Sequence, residues 1–180
     1  MELRTARLHL RRWKASDRSA FARLNGDPRV VEFLPSALSQ AESDARVDQI
    51  EAHFELHGFG LWAVEIPATS PFAGFIGLSI PRFEAPFTPC IEIGWRLDAA
   101  HWNHGFATEG AVASLEFAFR WLSAEEVVSY TVPANARSRR VMEKIGMTRS
   151  AADDFDHPLL PQGHPLRRHV LYRGRRPDLT

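Results

Sequence analysis

Two stretches of the chain carry residue types suited to holding a polyanion and acting on what it carries. The first is EIGWRLDAAHWNHGFATEG, residues 92–110. An alternating run ends, a short loop turns, and a helix begins at Gly105 with no proline or bulky β-branched residue at the turn. The first N–H groups of such a helix have no intrahelical partner, and its dipole favours an anion there. Gly105 and Ala107 are small enough for a diphosphate to approach the backbone, and Thr108 adds a hydroxyl. The Gly-Lys-Ser/Thr ending of a nucleotide-triphosphate loop is absent, as are the three glycines of a dinucleotide fingerprint. The second stretch is NARSRRVMEKIGM, residues 135–147, a helix with Asn135 at its start and Gly146 just past its end,. Residues 135–149 together carry a net charge of +4.

The elements that must position these stretches follow from periodicity. Leu3 to Trp13 alternates apolar and basic residues and predicts a first strand,. Ser16 or Asp17 is placed to cap a helix through Asn25, Asp27-Pro28 opens a short helical turn, and Ser39 caps a longer helix with Val47, Ile50 and Phe54 on one face,. Strands are predicted over Leu61 to Ile66, Phe72 to Ile80 and Cys90 to Leu97,. In the last, Ile91, Ile93, Trp95 and Leu97 share one face and Glu92, Gly94 and Arg96 the other,. A helix from Gly105 to Leu122, a strand from Glu126 to Val132, the helix from Asn135 to Ile145, and closing strands over Met147 to Phe155 and Arg167 to Arg173 complete the chain. The order implies an α+β fold, α/β in the broad sense: one mixed, mostly antiparallel sheet of about seven strands with helices on both faces.

With both motifs in hand, the sequence resembles the GNAT acetyltransferase superfamily, and within it the RimJ/RimL-type branch that acetylates ribosomal-protein N-termini. The family's first motif is Arg/Gln-x-x-Gly-x-Gly/Ala, common in this branch as Trp-Gly-(Lys/Arg/Gln)-Gly-(Tyr/Phe)-Ala-Thr-Glu. It reads here Trp102-Asn103-His104-Gly105-Phe106-Ala107-Thr108-Glu109. The second, Asn-x-x-Ser-x-x-Val-x-x-Lys-x-Gly-Met/Phe, is matched at Asn135, Ser138, Val141, Lys144, Gly146 and Met147. Element order agrees over nearly the whole chain, and the ending HPLRRHVLYR resembles the same branch. Residues 1–180 are accordingly expected to form one acyl-CoA N-acyltransferase domain.

The resemblance implies acetyl-CoA as co-substrate, a primary amine as acceptor, and direct transfer between them. It implies a bulged strand over Glu92 to Leu97 that splays from the strand over Val127 to Val132, with the acyl-pantetheine in the gap. Backbone groups of Trp95, Arg96 and Leu97 would face the pantetheine and supply an oxyanion donor. Residues Asn103, His104, Gly105, Phe106, Ala107 and Thr108 would cradle the pyrophosphate, and Asn135 would hydrogen-bond the pantetheine arm or simply cap its helix. Asn103 and His104 depart from the usual Gly and Lys/Arg/Gln. Asn103 is less permissive than Gly at positive φ, and a protonated His104 would contact a phosphate. Many members place a Tyr general acid where this chain has Met142, which has no proton to give, so Ser138 is the candidate acid. Glu92 is the candidate base, on the strand face opposite Ile91 and Ile93, unless it is merely salt-bridged, as with Arg96. His101 is the alternative base.

Composition narrows the rest. With 22 basic and 22 acidic side chains the net charge is zero, a poor basis for general nucleic-acid or membrane-surface binding,. The single cysteine, Cys90, excludes an internal disulfide and reads as a small apolar residue,. Ile66 to Pro81 is uncharged but broken by prolines and glycines, and no apolar leader opens the chain, so a cytoplasmic protein is expected. No metal is expected: His53 and His57 sit four apart without the Glu of HExxH and read as a solvated helix face,. No Gly-x-Ser-x-Gly elbow supports a serine hydrolase. A non-catalytic acyl-CoA sensor on the same fold, a longer acyl donor such as succinyl-CoA, and a homodimer all remain compatible with the motifs. For the acceptor, the resemblance points to the early helices and the last loop, hence Glu32, Phe33, Phe155, Asp156 and His157, with His164 and His169 either bordering the site or serving structure. Residues 30–134 carry −10, which points to a cationic acceptor such as a peptide N-terminus, a polyamine or an aminoglycoside.

Overall fold

The computed structural model describes residues 1–177. Leu3–Arg4 (β1) and His9–Arg11 (β2) form an antiparallel hairpin. The single strand expected over Leu3 to Trp13 is broken because Thr5 turns the chain: its N–H donates to Leu8 O at 3.0 Å and its Oγ1 accepts from Leu8 N at 2.9 Å. Asp17–Gly26 (α1), Pro28–Val31 (α2) and Gln40–His57 (α3) follow. Ser39 and Glu42 close a capping box at the start of α3,. Neither Ser16 nor Asp17 caps α1. The Asp17 carboxylate is drawn instead to Arg11, accepting from Nη1 at 2.7 Å and Nη2 at 3.0 Å, and to the Lys14 N–H at 2.8 Å.

The remaining strands are Leu61–Ile66 (β3), Ser70–Ser79 (β4), Glu92–Leu97 (β5), Glu126–Thr131 (β6), Thr148–Arg149 (β7), Phe155–Asp156 (β8) and Arg168–Arg175 (β9). Phe106–Trp121 (α4) joins β5 to β6, and Ala136–Lys144 (α5) follows β6. A 3-10 turn at Ala151–Asp153 splits the strand expected over Met147 to Phe155 into β7 and β8. That split and the β1–β2 hairpin account for nine strands where about seven were expected. Their order is β1-β2-β3-β4-β5-β6-β9-β7, with β8 also on β9.

Every pairing is antiparallel except β5 with β6, which is parallel and limited to Glu92 opposite Val128. Val128 N donates to Ile91 O at 2.9 Å. One step further, Ser129 Oγ donates to Ile93 O at 2.9 Å, a side chain standing where a ladder N–H would be. Beyond this point the two strands part and leave a wedge. The bulge expected in β5 is absent: its pairing with β4 runs unbroken from Gly74–Leu97 to Ser79–Glu92, and the irregularity falls instead between Val64 and Ile66 of β3.

The faces of β4 and β5 are set by strand alternation. Phe75 meets Phe21 of α1, with ring centroids 6.0 Å apart. Its neighbour Ile76 turns to α4, so close that a Cβ on Gly110 would lie 2.5 Å from the isoleucine Cδ1. Ile93 and Leu97 are buried in the main core with Ala111, Leu115 and Ala118 of α4. Arg96, opposite Phe75 in register, and Glu92, four residues before it, therefore stand on the α1 face.

Candidate functional site

The loop leading into α4 is set by backbone conformation. Asn103 has φ +63° and Gly105 φ +81°, both left-handed, and the turn they make aims the start of α4 at open space. Asn is the side chain that best tolerates this region, so the departure from Gly keeps the loop's shape. No side chain caps α4, and its first helical bond runs from Glu109 N to Gly105 O at 3.0 Å. The N–H groups of Phe106, Ala107 and Thr108 are thus left for an external acceptor. These orphan donors fit a diphosphate.

Arg7 braces the loop, a role that sequence reasoning missed. Its Nη1 donates to His104 O at 2.9 Å and its Nε to Glu109 Oε2 at 2.6 Å, while the guanidinium lies 4.7 Å from the Phe106 ring centre. The contact spans most of the chain, and nothing in the alternating basic residues near the N-terminus singles Arg7 out.

The wedge opens into a cleft of about 770 Å³, within the roughly 300–1,000 Å³ usual for small-molecule sites. Asn103, Gly105, Phe106, Ala107 and Thr108 line one end of it, and Trp95, Arg96, Leu97, Asn135 and Ser138 its middle. His104 does not line it. Its Nδ1–H donates to Trp102 O at 2.7 Å and its ring stacks on Phe106 at 5.7 Å, which turns it outward. Of the +4 segment, Arg137, Arg140 and Lys144 line the cleft. Arg139 and Arg149 turn away to Tyr172 and Asp154, as helical spacing requires,. Asn135 Oδ1 caps α5 by accepting from Ser138 N at 3.1 Å, and its Nδ2 donates to Thr131 Oγ1 at 3.0 Å. Ser138 Oγ has no hydrogen-bond partner among the described residues. Buried Met142 fills the wall nearby.

Glu92 stands in the cleft wall at the closed end of the wedge. It is not paired with Arg96. Its Oε2 accepts from Tyr130 Oη at 2.8 Å and from Ser79 Oγ at 3.3 Å. Burial raises its carboxyl above the ordinary range, against the pull of those two hydrogen bonds. Tyr130 is held protonated by burial and then by the charge of Glu92. The sequence reading passed over Tyr130. Its signal was slight: one of two tyrosines, on the strand expected to border the gap. His157 and His169 also line the cleft, and burial lowers the pKa of each. His101 lines it too.

The acceptor neighbourhood needs three corrections. Glu32 is off the cleft wall, its carboxylate tied to Arg137 Nη2 at 2.7 Å. Phe155 is core, packed with Val128, Leu171, Phe83 and Phe87. Asp156 faces Arg168 at 3.3 Å. Phe33 and His157 do line the cleft. Nor does the acidic middle of the chain reach it: Glu92 is the sole Asp or Glu on the wall among the described residues, because the surface carboxylates pair with Arg12, Arg18 and other guanidinia.

His53 is a fastener rather than a solvated helix residue. Its Nδ1–H donates to Phe59 O at 2.8 Å, and its Nε2 accepts from Ile80 N at 3.2 Å. Burial pushes Cys90 up to about 11, as suits a thiol serving as packing. Among the described residues, no group of three or more His, Cys, Asp or Glu is placed to hold a metal, and no helix is long and apolar enough to cross a membrane.

Residues 7–148 match the acetyltransferase (GNAT) domain family. The chain is 32% identical to an FsC-acetyl coenzyme A-N(2)-transacetylase of Aspergillus fumigatus, the alignment covering 99% of this chain and 81% of that one. The crystal structure of an acetyltransferase from Agrobacterium tumefaciens, 29% identical, superposes with a TM-score of 0.77 over 98% of this chain and 95% of the other. A ribosomal-protein-S5-alanine acetyltransferase from Vibrio fischeri shares the fold, with a TM-score of 0.77 at 17% identity over 100% and 99% of the two chains. The split strands, the uncapped helix and these likenesses converge: the chain belongs to the GNAT acetyltransferase family and is an acyl-CoA-dependent N-acetyltransferase.

Proposed function

We propose that the protein moves an acetyl group from acetyl-CoA directly to a primary amine, a peptide N-terminus or a small-molecule amine, in the manner of the RimJ/RimL-type branch. The observation that carries this reading is the wedge, whose closed end brings a buried carboxylate beside an unpaired β5 edge. The N–H groups of Phe106, Ala107 and Thr108 bind the pyrophosphate, with Arg140 and Lys144 nearby in the same cleft,. Every second N–H of Gly94 to Leu97 points into the wedge, where one serves the developing oxyanion.

An ordinary amine has a pKa of about 10 and must shed a proton to attack. Glu92 accepts it, directly or through a water, and its raised pKa makes it a better base than an exposed carboxylate,. Tyr130 holds the carboxylate in place through its hydroxyl. Ser138, whose Oγ is free at the first turn of α5, delivers a proton to the leaving thiolate. The test is thiol release on incubation with acetyl-CoA and a panel of amines. Release that depends on the amine supports transfer; acetyl-CoA binding without it makes the protein a sensor.

A further inference from the structure

Three guanidinia on the cleft wall, those of Arg46, Arg96 and Arg140, have no carboxylate within 4.0 Å among the described residues; Arg140 stands on α5 with Lys144, where the CoA phosphates are proposed to bind, which leaves two. Arg96 reaches from β5 toward α1, where its Nη1 donates to Asn25 Oδ1 at 2.6 Å and its guanidinium lies 5.4 Å from the Phe75 ring. Asn25 is itself fully buried and fixed by donating from Nδ2 to Ser43 Oγ at 3.0 Å. The remaining nitrogens of Arg96 have no hydrogen-bond partner among the described residues, yet no buried polar side-chain atom there is unsatisfied, so they open onto the cleft. Arg46, on α3, lines the same cleft, and its one hydrogen bond, at 3.2 Å, goes to the neutral Gln49. Neither arginine has an acidic partner within 4.0 Å among the described residues.

A deep guanidinium without a counter-charge is costly unless a ligand supplies one. Here the cost shows: burial and the facing charge of Arg46 push Arg96 down to about 10. The CoA phosphates do not answer it. Their main donors, at the start of α4, belong to a helix packed on the opposite face of the sheet from α1, whereas Arg96 sits on the α1 face beside the early helices.

We propose that Arg96 and Arg46 form a carboxylate-binding subsite for the acceptor, so that the substrate is an amine that carries a carboxylate at its other end. This rests on the transferase reading above. Arg96 is fork-shaped for planar carboxylate recognition, and Asn25 fixes one prong. Arg96 and Glu92 share a strand face four residues apart, about 13 Å along β5. The amine delivered to Glu92 and the carboxylate held by Arg96 are therefore separated by a spacer, as in a short peptide, rather than joined at one carbon. The subsite selects against polyamines and other polycations.

The experiment is a set of matched acceptors: α-amino acids, ω-amino acids, dipeptides and tripeptides, each with its carboxamide, alongside spermidine. The expected result is a kcat/KM for the acid about tenfold or more above that for its amide, greatest in the spaced acceptors. R96Q should bring the ratio to about one, R96K should restore part of it, and R46Q should lower it to an intermediate value. R46Q replaces an exposed residue and keeps the test open if R96Q fails to fold. Equal rates for acids and amides, or acetylation of spermidine but not of any acid, overturns the subsite while leaving the enzyme a transferase. Acetylation of no amine at all overturns the transferase reading itself.

Discussion

Tyr130 donates its hydroxyl to Glu92 Oε2 at 2.8 Å, across the closed end of the wedge between two parallel strands. The two residues belong to neighbouring strands held in register by one pair, Glu92 with Val128. That contact places the candidate base and fixes its orientation.

E92Q removes the base. Its kcat/KM should fall by about 10²–10⁴ at neutral pH and recover in part at alkaline pH, where the amine is already deprotonated. A pH–rate profile in purified wild type and variant checks this; an unchanged profile would assign the proton to another group, His101 first.

Glu92 also marks stability. Its folded pKa lies above the unfolded value, so the folded form binds the extra proton,. The stability this gives is complete below the unfolded pKa and is lost as pH rises through the folded pKa. The thermal stability of wild type should therefore fall relative to E92Q between about pH 4 and the upper end of that titration. Parallel melting curves for the two proteins across this range would contradict it.

Y130F deletes a hydrogen bond that favours ionised Glu92. The acid limb of kcat/KM should move to higher pH, and the plateau above it should fall severalfold as the carboxylate loses its fixed orientation. An acid limb that stays in place would separate Tyr130 from the ionisation of Glu92.

S138A should slow kcat about ten- to a hundredfold and leave acetyl-CoA binding intact, as read by calorimetry. A kcat equal to wild type removes Ser138 from proton delivery.

G105A puts a side chain at φ +81°, with its Cβ 3.3 Å from Arg7 Nη2. A non-glycine residue in that region costs about 1–2 kcal/mol, and displacement of the loop donors should raise the KM for acetyl-CoA severalfold. The melting temperature and the KM together test it.

The loop leading into α4 was legible in sequence because its determinants are local. A glycine that allows positive φ, an uncapped helix start and an asparagine cap act within a few residues, and Gly105, Asn135 and Ser138 stand where the motifs put them. Strand breaks at Thr5 and at Ala151 were not legible, since short turns overrode an alternating pattern. Side-chain direction was harder still. Phe155 and Glu32 lie near the acceptor end in the chain, but one is drawn into an aromatic core and the other to Arg137. Tyr130 with Glu92, Arg7 with the α4 loop and Arg96 with Asn25 are contacts between distant segments, decided by sheet register and helix placement. The charge balance misled for a related reason: the acidic middle is spent on surface ion pairs, and the cleft it surrounds is lined by arginines.

Direct acetyl transfer within the wedge requires that no acetyl group come to rest on the protein. The sharpest measurement is mass spectrometry of both protein and amine after a single turnover with isotopically labelled acetyl-CoA. Direct transfer puts the label on the amine, forms free CoA in equal amount and leaves the protein's mass unchanged. Label retained on the protein, or acetyl-CoA bound and recovered intact in the presence of every amine, would contradict it.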